Sequence, residues 1–109
     1  MDTNAIAMHI AELAVRIDTA RHALLTELRE FDAHEGWAHT GLVSTAAWLS
    51  WWTNMAAPAA REHVRVARAL GDLPLLDAAF AAGKLSYSKV RAITRVATRE
   101  HILCSIESW

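Results

Sequence analysis

Ile6, Ile10, Leu13, Ile17, Leu24, Leu28 and Phe31 recur at spacings of three, four and seven, which lays an apolar stripe along one helix from about Thr3 to His34. Glu12 with Arg16, and Asp18 with His22, stand four apart on its flanks, where each pair adds weak support. So long a helix either braces the whole domain or uses its seven-residue rhythm to pair with another helix. Ala14, Ala20 and Arg21 interrupt a strict coiled-coil seam and favour the brace. Gly36 is placed to take the left-handed cap position at its end.

Beyond that helix the punctuation is regular. Ser44 is a good N-cap for a helix from Thr45 to about Thr53. Pro58 suits the first position of a third helix reaching about Leu70. The second and third helices, joined by a tight turn, make a candidate helix-turn-helix. Asp72 is a candidate cap for a fourth helix that has Pro74 in its first turn and stops at Gly83. Ser86 caps a fifth, running from Tyr87 through Val90, Ile93 and Val96 to beyond Ala97. Strand-like alternation and asparagine-glycine turns are missing, so the expected fold is all-α, with about five helices in one domain over residues 1–109.

Trp48 and Trp52 stand four apart in the second helix and are expected to be buried structural residues. The alternative, a stacking platform for bases, needs exposed rings interleaved with cations, and residues 37–60 carry no charged side chain. That stretch also holds too many polar residues and a proline for a membrane span.

Charge divides the chain. Residues 58–99 carry eight Arg or Lys against three Asp or Glu, whereas residues 1–36 carry seven acids and three bases, so a net charge of −1 conceals segments of opposite sign. Arg61, Arg65 and Arg68 form a row on the third helix beside an apolar stripe of Val64, Ala67 and Leu70. On the fifth, Arg91, Arg95 and Arg99 recur every four residues, with Lys84 and Lys89 nearer its start. Side by side, the two helices would offer Arg61, Arg65, Arg68, Arg91 and Arg95 as phosphate contacts for DNA. Solvated faces, or pairing with the acidic first helix, account for the same residues without a ligand.

Catalytic and cofactor signatures are missing. The six histidines, His9, His22, His34, His39, His63 and His101, form no HExxH pattern, and the single Cys104 excludes a CxxC pair. His34 and His39 with Glu35 make a weak metal pair, and Cys104 with His101 a weak nucleophile and base without an orienting acid. No phosphate-cradling glycine loop occurs. No catalytic residue, metal or cofactor is therefore expected. The lone cysteine and the lack of a secretory leader pattern lead to an expected cytoplasmic location.

The segments LREFDAHEGWAHTGLVSTAAWLSWWTNM and AAREHVRVARALGDLPLLDAAFAAGKLSYSKVRAITRVAT, with the leading helix, cover about residues 10 to 98. In this order they resemble the helical domain of unknown function that precedes an HNH endonuclease domain in the actinobacterial thirteen-E-twelve repeat proteins. Trp48, Leu49, Ala60, Arg61, Arg68, Leu70, Pro74, Gly83 and Arg95 fall on the shared pattern. The resemblance implies a noncatalytic, DNA-associated helical module linked to nucleases. It transfers no catalytic or metal residue, because the nuclease signature itself is missing. Residues 100–109, EHILCSIESW, depart from the family's continuation, which leads to the expectation of a product truncated at its C-terminal end. The alternatives are a protein-interaction or scaffold fragment that binds a partner or itself, and a remnant without activity.

Overall fold

A computed structural model describes residues 2–97, so the expectations for Arg99, His101, Cys104 and the 100–109 tail lie outside the described residues. Within them the fold is all-α, with five helices: α1 Thr3–Ala33, α2 Thr45–Thr53, α3 Ala57–Gly71, α4 Pro74–Ala81 and α5 Tyr87–Ile93. They form a slab of 51 × 41 × 19 Å.

The caps explain several boundaries. Asp2 accepts the Asn4 N–H at 3.0 Å to start α1, Ser44 accepts the Ala47 N–H to start α2, and Ser86 accepts the Lys89 N–H to start α5. Asp72 does not cap α4, contrary to expectation. It closes α3, and α4 begins on Leu73 and Pro74 with no side-chain cap. After α1 it is Glu35, not Gly36, that takes the left-handed conformation, at φ 50°. Gly36 is needed for space, because a Cβ there would run into the Phe31 ring. Helix α5 is shorter than its sequence periodicity suggests. The N–H groups of Arg95 and Val96 bond three residues back to Ala92 and Ile93, tightening the last turn, and the Thr94 hydroxyl donates to the Arg91 carbonyl.

Helix α3 sits at the centre and buries Ala60, His63, Val64, Val66, Ala67 and Leu70. Leu25 and Leu28 of α1, Leu49 of α2, Leu76 and Phe80 of α4 and Val90 of α5 close around it. α1 touches each of the other four helices, as a brace should. Only its C-terminal half does most of this packing. Leu25, absent from the expected stripe, is fully buried, whereas Ile10 and Ile17, which belong to it, are 61% and 60% exposed. The flanking residues also turn inward to other helices. Asp18 accepts the Tyr87 N–H of α5 at 2.9 Å, and His22 reaches Asp77 of α4 at 2.8 Å. Gly83, at φ +76°, lets the α4–α5 turn come close to α1, where an added Cβ would stand 3.1 Å from Val15.

Candidate nucleic-acid interface

Helices α3 and α5 bring their cations together through one acid. Glu62, three residues before Arg65 on α3, accepts from Arg65 Nε at 2.7 Å and from Arg95 at 2.8 Å, and Arg91 Nε lies 3.5 Å away. Arg65 also donates to the Arg91 carbonyl at 3.2 Å, which ties α3 to the end of α5. Three guanidiniums face one carboxylate, so the cluster keeps an excess of two positive charges. The hydrogen bond from Arg65, helped by the charges of Arg95 and Arg91, holds the Glu62 carboxyl below its ordinary range against the opposing effect of burial.

Arg68 goes elsewhere. It grips Asp32 of α1 with two bonds, Nε to Oδ2 at 2.7 Å and a terminal nitrogen to Oδ1 at 2.8 Å. Thr45, buried at the start of α2, donates to the same carboxylate at 2.6 Å, so Asp32 joins three helices. The Arg68 hydrogen bonds hold the Asp32 carboxyl below its usual value, with help from Thr45 and against desolvation. Arg61, one turn before Arg65, makes no ion pair among the described residues.

A groove of about 810 Å³ runs between α2 and α3. Arg61, Arg65 and Arg68 line it from α3, and Ser50, Trp51 and Asn54 from the α2 side. Asn54, in the left-handed conformation at φ 59°, makes the sharp turn that sets the two helices beside each other.

The family model for Domain of unknown function (DUF222) matches residues 4–101. The chain belongs to this family. The match bears out the expected kinship with a helical domain of unknown function. No curated protein and no solved structure matches the chain.

In this DUF222 domain the tryptophans divide differently from the sequence expectation. Trp48 is half-buried against Phe31, with ring centroids 4.1 Å apart, but Trp52 is 68% exposed and corrects the expectation of a buried pair. The face of α2 that meets the core carries Thr45 and Leu49, so Trp48 flanks that face and Trp52, one turn on, passes beyond it. Trp51 is 72% exposed.

Sequence reasoning missed Asp32, Glu62 and His63 as organising residues. A signal existed for Glu62 in its three-residue spacing to Arg65. His63 is buried in the core, and Arg21 donates to its Nε2 at 3.2 Å, which leaves Nδ1 to donate to the Ala59 carbonyl at 2.7 Å. Its ring stacks on Tyr87 at 4.7 Å, and the Arg21 guanidinium lies 5.0 Å from the same Tyr87 ring. Burial lowers the His63 pKa, and the Arg21 and Arg91 charges add to it against the Ala59 hydrogen bond, in keeping with a ring that accepts from Arg21 at Nε2.

Proposed function

We propose that this DUF222 domain is a noncatalytic DNA-associated module that meets phosphates through Arg61, Arg65, Arg91 and Arg95. The observation that carries the reading is the α3–α5 cluster, where three guanidiniums share Glu62 and Arg61 stands one turn away. Arg68 belongs to the same surface, but its two bonds to Asp32 give it a structural duty first. The resemblance to domains that precede HNH nucleases supports a setting beside such a nuclease in an actinobacterial repeat-family protein. A cytoplasmic setting fits a DNA-associated role. Among the described residues, no helix is long and apolar enough to cross a membrane.

Binding through four phosphates gives a slope of log affinity against log salt near −3.6, at roughly −0.9 per phosphate. The double variant Arg61→Ala/Arg95→Ala should weaken unrelated duplexes alike and flatten the slope by up to about 1.8. Fluorescence anisotropy across a salt series measures both. A folded parent that binds no DNA at low salt refutes the proposal.

The exposed apolar residues on the first half of α1, Ile10 and Ile17 among them, favour a second reading as an interaction or self-association module. Sedimentation that shows a dimer lost in Ile10→Glu/Ile17→Glu, without DNA binding by the parent, would establish that reading instead.

A further inference from the structure

The groove between α2 and α3 joins two features that lie apart in the sequence. From α2 comes Trp51, with 72% of its surface open to solvent. From α3 come three arginines, two of them already oriented by carboxylates that lie outside the groove lining: Arg65 by Glu62 and Arg68 by Asp32. Among the described residues no Asp or Glu lines the groove, so the charged side chains lining it are of one sign. Several short side chains, Ser44, Ala47 and Ser50 among them, line the α2 side. Its volume of about 810 Å³ is in the range of cavities that enclose a small organic ligand.

A large aromatic face beside a row of cations suits one chemistry well. Phosphates follow the cations and an unpaired base lies on the ring. Paired bases in a duplex are stacked on each other and offer no free face to an indole at the groove wall. We infer that the α2–α3 groove takes an unpaired stretch of DNA, with a base stacked on Trp51 and the flanking phosphates on Arg61 and Arg65. This rests on the DNA reading above and makes it specific to strand state. The second groove beside Trp51, lined by Leu42, Trp48 and Trp52, gives a neighbouring base further apolar surface.

The test uses the full chain, a labelled thymidine oligomer of about a dozen nucleotides, the RNA counterpart and a duplex of equal length. Stacking on one aromatic side chain is worth about 5- to 150-fold in affinity. Trp51→Ala should therefore weaken single-strand binding by that factor, with duplex binding changed less than twofold, and Trp51→Phe should restore most of it. Arg61→Ala should flatten the single-strand salt slope by about 0.7. Trp51 is at the surface, so circular dichroism should show each variant folded. Single-strand binding that is unchanged in folded Trp51→Ala overturns the inference while leaving duplex binding, and with it the DNA reading, intact. Binding to neither strand state overturns both. Tighter binding of the RNA oligomer overturns the assignment to DNA, and a dimer dissolved by Trp51→Ala without oligonucleotide binding assigns the groove to a second copy.

Discussion

Glu62→Gln removes the carboxylate on which Arg65, Arg91 and Arg95 converge, while keeping the side chain's size and an oxygen acceptor. Glu62 is 16% exposed, but its partners are one-third to one-half exposed, so each pair is worth the few tenths to one kcal/mol typical of surface ion pairs. Because the three share a carboxylate and hold α3 to α5, the variant should lose about 1 kcal/mol, or a fall in melting temperature of about 4–8 °C. The effect on DNA binding has the opposite sign. A phosphate held about 7 Å from Glu62 is repelled by about 0.6 kcal/mol in water, so the variant should bind about threefold more tightly at low salt. The pH dependence follows from the lowered Glu62 pKa. A carboxyl depressed in the folded state contributes stability above its unfolded value of about 4.3, and loses it as pH falls through the folded value. Glu62→Gln should therefore lose part of the acid sensitivity below about pH 4. Thermal melts and anisotropy titrations on the same samples measure both signs. A variant that is less stable and also binds more weakly would show that Glu62 arranges the arginines for the ligand, and would refute the view that it competes with phosphate.

Trp48→Ala should cost about 2 kcal/mol, less than a full core deletion because the ring is half-buried on Phe31, whereas Trp52→Ala should stay within about 0.5 kcal/mol in thermal melts. His63 has a lowered folded pKa, so the unfolded chain takes up its proton first as pH falls below about 6.5, and stability contributed by the neutral ring is lost from that point downward. Gln can donate to Ala59 and accept from Arg21, so His63→Gln should flatten the change in urea midpoint between about pH 6.5 and pH 5.

Helix boundaries were the most legible part of this chain because short polar caps mark them locally. Ser44 and Ser86 start α2 and α5 where their side-chain oxygens accept the N–H three residues on, and that depends on nothing distant. The long stripe of α1 gave the helix but not the face in use. Ile10 belongs to that stripe and Leu25 does not, yet the side chains that reach α3 and α4, Arg21, His22, Arg29 and Asp32, all lie in the second half of α1, where Leu25 is buried while Ile10 stays exposed. Gly36 shows another limit. A glycine after a helix reads as a left-handed cap, but Glu35 adopts that conformation and the glycine makes room for Phe31. Helix α5 ends at Ile93 because the N–H groups of Arg95 and Val96 bond three residues back and the Thr94 hydroxyl donates to the Arg91 carbonyl, a local competition that the pattern of Val90, Ile93 and Ala97 does not record.

Charge was legible as composition and illegible as a surface. The arginines of α3 and α5 were evident, but Arg68 turns to Asp32, more than thirty positions away, while Glu62 holds the others within reach of each other. The same long-range geometry explains why the sequence of α2 favours core over a stacking platform. Its own segment contains aromatics and no cations, so a stacking surface lacked half of its chemistry when read along the chain. Asn54 reverses the chain between Thr53 and Met55, and Arg61, Arg65 and Arg68 then line the groove that Trp51 lines from the other side. Thr45 and Leu49 take the core-facing side of α2 and leave Trp51 outward. The candidate site is thus assembled by one left-handed asparagine and one choice of buried helix face, each of which acts between segments and leaves no periodic trace in either.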